Sequence, residues 1–166
     1  MNIQKSKILK LCIITPNTIF KDHRGEYIES YNKEIYEKMG VPIEFVQDDF
    51  SISQKGVLRG IHGDRKTWKL VSCIHGAFFL VVINNDKKSK DYGKFESFVL
   101  SEKNKTQILI PPNYGNGHQV ITKKAIFHYK QSTFYERSSQ FTIKWNDPKI
   151  NIQWPINKPI LSKRDS

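Results

Sequence analysis

At 166 residues the chain is long enough for one domain with a real core and too short for several. Its 27 basic against 16 acidic residues give a net charge of +11, but the lysines are scattered through turns (Lys87, Lys94, Lys105, Lys123) rather than gathered on a helix, which argues against a nucleic-acid binder. Cys12 and Cys73 sit in apolar runs as buried thiols do, not as a disulfide framework or metal knuckle; no run has membrane-spanning length or the form of a signal peptide, so a cytoplasmic protein with no membrane partner is expected.

In chain order, residues 8–14 read as a first strand stopped by Pro16. Residues 22–26 form a turn, and 27–31 a strand carrying Glu29. Asn32 caps a short helix over 33–39, which Gly40 and Pro42 end. Residues 45–50 feed a central stretch, 51–82, that reads as three strands punctuated by Gly56, Gly60, Gly63 and Gly76. Within it, simple alternation puts Leu58, Gly60 and His62 on one face and Arg59 and Ile61 on the other. Residues 77–83 are a nearly continuous apolar run, the mark of a strand buried on both faces. After a polar loop over 84–92, strands follow at 95–100, 106–110, 118–122 and 126–133. The tail from Trp145 onward is irregular, with aromatic anchors. The whole is expected to be a single all-β domain over 1–166, a jelly-roll sandwich with one short helix.

An imidazole (His62), a lysine (Lys69) and an arginine (Arg59) on neighbouring strands are the ingredients of a pocket for an anionic ligand with acid–base chemistry. His23 and His75 read as solvated or structural, while His118 and His128 flank the candidate pocket and suit either packing or binding. Asp165, at the second-to-last position, would by itself read as frayed tail.

A series of phrases in fixed order adds to this. They are Asp22-x-Arg24-Gly25, Phe45-Val46-Gln47-Asp48, Gly56-Val57-Leu58-Arg59-Gly60-Ile61-His62, Lys69-Leu70-Val71, Ile110-Pro111-Pro112, Trp145-x-Asp147-Pro148 and Leu161-Ser162-x-x-Asp165. From about residue 20 onward the chain resembles the nucleotide-sugar 3,5-epimerases of the dTDP-4-dehydrorhamnose epimerase family, which are cupin-type (double-stranded β-helix) dimers. The resemblance implies that His62 is the catalytic base, Asp165 its carboxylate partner, Lys69 the cation near the keto oxygen and Tyr129 the acid on the opposite face. It further implies that Arg24 and Arg59 contact phosphate and that Glu29 and Gln47 line the pocket, Gln47 through strand exchange in a homodimer. Neither a redox cofactor nor a metal is implied. The chemistry is coherent: a C4 ketone acidifies the hydrogens at C3 and C5, and inversion needs a base on one face, an acid on the other and a positive charge at the enolate oxygen.

Two departures from the family pattern stand in the expected sugar pocket. Gly63-Asp64 replaces an aromatic residue and a glutamine after the histidine, and Asn116, with His118 two residues on, takes the place of a histidine. These imply a retained reaction on an altered substrate, similar to the branch acting on GDP-linked 4-keto-heptoses in capsular polysaccharide synthesis. A different class shares the fold: His62-x-Asp64 with His118 is the ligand pattern of a non-haem Fe(II) cupin oxygenase. Against it, Lys66 and Lys69 would crowd a cationic metal.

Overall fold

Strands carry nearly all the regular structure among the described residues, 2–16 and 19–166, of this computed structural model. One sheet holds β1 (Asn2–Lys5), β2 (Cys12–Thr15), β5 (Gln47–Gln54), β7 (Lys69–His75), β10 (Gln107–Ile110) and β12 (Lys124–Gln131), in the spatial order β1-β2-β10-β7-β12-β5. The other holds β6 (Leu58–Gly63), β8 (Ala77–Asn84), β9 (Phe95–Ser101), β11 (Tyr114–Val120) and β13 (Phe141–Thr142), in the order β13-β6-β11-β8-β9. A separate hairpin, β3 (Ile19–Asp22) with β4 (Gly25–Ile28), pairs with neither sheet. From β5 to β12 the chain crosses between the sheets at nearly every connection, which is the wrap of the expected jelly roll.

The sandwich interior is filled by Phe78, Leu80 and Val82 of β8 against Val71, Ile108 and Phe127 of the facing sheet. The alternate residues of the same strand, Val81 and Ile83, pack outward, where Leu58, Ile61 and Trp154 cover them. The apolar run at 77–83 is thus buried on both faces, by the second sheet and by the C-terminal tail. The tail is tied down by its aromatic anchors: Trp154 donates its indole N–H to the Trp145 carbonyl at 2.8 Å, and Gln119 exchanges two hydrogen bonds with the backbone of Ile156.

The helix α1 (Lys33–Lys38) forms where expected, with the Asn32 side chain accepting from the Ile35 N–H. Of the strand expected at 8–14 only residues 12–14 are strand, in β2; residues 8–11 turn the chain, and a further strand, β1, precedes them. The Glu96 carboxylate gathers the Ser6 hydroxyl and the N–H groups of Ile8 and Leu9, turning the chain so that β1 folds back on β2.

The alternation expected in β6 also fails, and the failure builds the site. Against β11, His62 pairs with Asn116 but Arg59 pairs with His118, so three steps on β6 match two on β11. This β-bulge at Gly60–Ile61 reverses the side-chain direction after Arg59. Leu58 and Ile61 therefore share the apolar side under the tail, and Arg59 and His62 share the other. Gly60 makes the bulge possible. Its φ is +110°, and a Cβ there would lie 2.6 Å from both the Asn116 carbonyl oxygen and the Gly117 Cα. Gly60→Ala is expected to lower the unfolding free energy by roughly 2–4 kcal/mol, read from the midpoint of urea denaturation. An unchanged midpoint would show that the bulge tolerates a side chain.

Candidate active site

Arg59 and His62 open into a cavity of about 250 Å³ between the two sheets. Lys69 and Tyr129 enter it from the six-stranded sheet, Asn116 and His118 from the five-stranded one. Two larger hollows adjoin it, one sharing Arg59 and the other Gln140. Of these three, the smaller cavity alone holds His62, Lys69 and Tyr129, which makes it the candidate site.

The tail delivers the partner of His62. Residue Ile160 lies in a parallel bridge with Val57, donating to the Gly56 carbonyl at 2.9 Å and accepting from the Leu58 N–H at 3.0 Å. The turn that follows sets Asp165 Oδ1 2.8 Å from His62 Nε2, close enough for a hydrogen bond but off its axis. Its other oxygen accepts from the Ser162 hydroxyl at 2.9 Å, and the Asp165 side chain is only 4% exposed. The tail is therefore ordered where isolated reading suggested fraying. Burial lowers the His62 pKa, Arg164 and Lys69 push the same way, and the Asp165 charge opposes them. The result is a neutral imidazole that can accept a proton.

Tyr129 stands opposite Asp49 in the β5–β12 ladder. Burial and the Asp49 charge push its phenol up to about 12, which keeps the proton on the oxygen and available for donation. Asp49 is itself held by the side-chain amides of Gln47 at 2.7 Å and Gln131 at 3.0 Å. Lys69 is 8% exposed, and burial lowers its ammonium pKa against the pull of Asp64. Arg59 donates its Nε–H to Ser53 Oγ at 3.1 Å, which leaves the outer guanidinium nitrogens for an anion.

Of the expected site residues, His62, Lys69, Tyr129, Arg59, Asn116 and His118 line this cavity, and Asp165 touches it through His62. Gln47 does not line it; its carbonyl accepts from the Tyr135 N–H at 2.7 Å, so it braces the rim. Arg24 and Glu29 do not reach the pocket of their own chain. Arg24 is bound to Asp22 on the exposed β3–β4 hairpin, and Glu29 accepts from Asn32. Gly63 and Asp64 are also outside it, so of the two departures only that at Asn116 concerns the pocket. A Cβ on Gly63 would strike the Tyr114 carbonyl and the Phe141 ring. His128 faces away, bound to Ser72, with Asp48 and Lys130 on the outer surface of its sheet. Arg164, which donates to the Tyr135 hydroxyl at 3.3 Å, was missed because nothing in its neighbours marks it. Ser51 and Asp49 did leave a signal. In β5 the polar residues 47, 49, 51 and 53 turn inward, while Phe50 and Ile52 are exposed, the reverse of an ordinary half-buried strand.

Replacing Asp165 with Asn should move the acid limb of kcat/KM to lower pH. The carboxylate raises the His62 pKa; without it, the imidazole stays neutral to lower pH and is a weaker base. A pH–rate profile checks this, and an acid limb that moves upward would contradict the pairing.

The sequence profile of the dTDP-4-dehydrorhamnose 3,5-epimerase family matches residues 5–166. The chain belongs to this family. It is 40% identical over 169 residues to the dTDP-4-dehydrorhamnose 3,5-epimerase of Shigella flexneri, covering 99% of this chain and 93% of that protein. The crystal structure of a dTDP-6-deoxy-D-glucose-3,5-epimerase from Legionella pneumophila, in complex with dTDP-4-keto-L-rhamnose, superposes with a TM-score of 0.93 at 39% identity, covering 99% and 89% of the two chains. A dTDP-4-dehydrorhamnose 3-epimerase from Streptomyces niveus is 31% identical over 151 residues, covering 87% and 72%. The protein is thus an epimerase, and the cupin fold expected from the resemblance holds. The oxygenase alternative finds no support in the epimerase geometry. Asp64 binds the N–H groups of Lys66 and Thr67 and the Gln140 amide, in a different hollow from His62 and His118. Among the described residues, no three His, Cys, Asp or Glu side chains cluster as metal ligands. Nor, among them, is any helix long and apolar enough to cross a membrane.

Proposed function

We propose that this epimerase inverts C3 and C5 of a dTDP-linked 4-keto-6-deoxy sugar through an enolate. The observation that carries the reading is that His62 and Tyr129 enter one cavity from opposite sheets, with Lys69 beside them. His62 takes the proton from the carbon next to the ketone, and the electron pair moves onto the C4 oxygen. The Lys69 ammonium stabilises the charge that develops there. Tyr129 then delivers its phenolic proton to the opposite face and recovers it from solvent, and the imidazolium gives up its own. The same cycle serves the second carbon after the ring turns in the site. Arg59 holds the diphosphate at the mouth.

The dTDP nucleotide follows the names of relatives that refer to dTDP sugars. The GDP-linked heptose of capsule synthesis expected from the sequence departures is set aside in favour of that nucleotide. Both 3,5- and 3-epimerases occur among these relatives, so the number of carbons inverted is part of the proposal.

The hairpin β3–β4 is assigned to a second copy of the chain. Its Phe20 and Tyr27 are 64% and 69% exposed, and the edge strand β5 exposes Phe50 and Ile52. Docking one against the other in a homodimer would cover both and bring Arg24 toward the partner's diphosphate. Light scattering is expected to give twice the chain mass of 19.4 kDa; a monomer would remove the role given to Arg24. The test of the reaction itself is mass spectrometry of dTDP- and GDP-4-keto sugars after incubation in heavy water. Two deuteriums in the dTDP sugar are expected. Uptake of one would reduce the enzyme to a single-carbon epimerase, and none would overturn the proposal.

A further inference from the structure

Buried polar side-chain atoms in folded proteins are nearly always hydrogen-bonded, so those left unpaired need a reason. Among the described residues there are five such atoms, and they all gather at the active site. Two are His62 Nε2 and Asp165 Oδ1, which face each other. The other three are Ser51 Oγ, Asn116 Oδ1 and His118 Nε2, all in residues lining the cavity. The reaction as described uses none of these three.

Their placement is specific. Asn116 is the direct cross-strand partner of His62, so its amide lies about one side-chain width from the base. His118, 3% exposed, is stacked flat on Phe127 with ring centroids 4.0 Å apart and cannot turn to another partner. Burial and the nearby Arg59 charge hold its pKa down to about 3, so it stays neutral. Together these groups give the floor beside His62 a set of neutral, pre-positioned acceptors and donors. Ionic groups are absent from that set, and the one apolar side chain beside it is the Phe127 ring on which His118 is stacked. Such a floor suits an alcohol.

In a 4-keto-6-deoxy sugar the two acidic carbons differ in this respect. C3 carries a hydroxyl and neighbours another at C2, whereas C5 carries only a methyl and the ring oxygen. We propose that Asn116, backed by Ser51 and His118, is a specificity-determining residue that accepts a hydrogen bond from the hydroxyl on or next to C3 and so positions C3, rather than C5, for deprotonation by His62. This deepens the epimerase reading and rests on it. Asn116 acts as a positioning residue, and the proton still passes from carbon to the imidazole.

The experiment is site-resolved deuterium exchange, followed by NMR, with dTDP-4-keto-6-deoxyglucose in heavy water for the parent, Asn116→Ala and Asn116→Asp. Loss of one neutral hydrogen bond is expected to slow exchange at C3 in Asn116→Ala by roughly tenfold relative to C5. Continued C5 exchange also shows that the variant is folded. Asn116→Asp keeps an acceptor and should recover most of the C3 rate. Equal slowing at both carbons, no change in their ratio, or a parent that exchanges only C5 would each overturn the assignment. Absence of exchange at both carbons in the parent would instead overturn the epimerase reading.

Discussion

A His62→Asn variant is expected to fold as the parent does and to lose roughly 10²–10⁴-fold in turnover. Asparagine keeps a polar group of smaller size beside the buried Asp165 carboxylate, and its amide N–H can still donate to it. What it cannot do is accept a proton from carbon. The variant should therefore show a melting temperature near that of the parent and no deuterium in the sugar beyond the enzyme-free control. Turnover within tenfold of the parent would take the base role away from His62. The parent's own acid limb in kcat/KM should fall below the ordinary histidine range, because burial has lowered this imidazole's pKa.

Tyr129→Phe is expected to lose a comparable amount of epimerised product, roughly 10²–10⁴-fold, while solvent exchange continues. The phenyl ring retains the packing against Phe127, whose centroid is 5.4 Å away, so the pocket wall survives. His62 can still remove the proton and return one to the same face. The result would be labelled substrate with unchanged stereochemistry, distinguishable by NMR from product. Exchange that vanishes together with product would make Tyr129 necessary for deprotonation and refute its assignment to the opposite face. Because the two groups act in one cycle, the double variant should be little worse than either single one.

Much of the fold is legible in the sequence alone. The run at 77–83, apolar on both sides, read best as a strand with a layer on each face, and the irregular tail with Trp145 and Trp154 supplies the second layer. That His62, Lys69 and Tyr129 would share one cavity was legible through family phrases rather than through periodicity. Three things were not. The inward direction of His62 depends on the register of β6 against β11, and a bulge is a property of two strands, not of one strand's alternation. The positions of Arg24 and Glu29 depend on what the hairpin packs against, which local sequence does not encode. Arg164 reaches the pocket because the Ile160 bridge fixes the tail from a distance.

The bulge at Gly60 also has a consequence for how this gene can change in length. A substitution in β6 alters one side chain, but one extra residue between Ile61 and His62, with the bulge kept, would turn the imidazole toward the wrong side of its sheet. Such an insertion would be as damaging as removing the histidine, although every named group would still be encoded. The loop over residues 85–94, by contrast, lies between strands that pair independently of its length. Insertions and deletions in related genes should collect there and spare the five residues around the bulge.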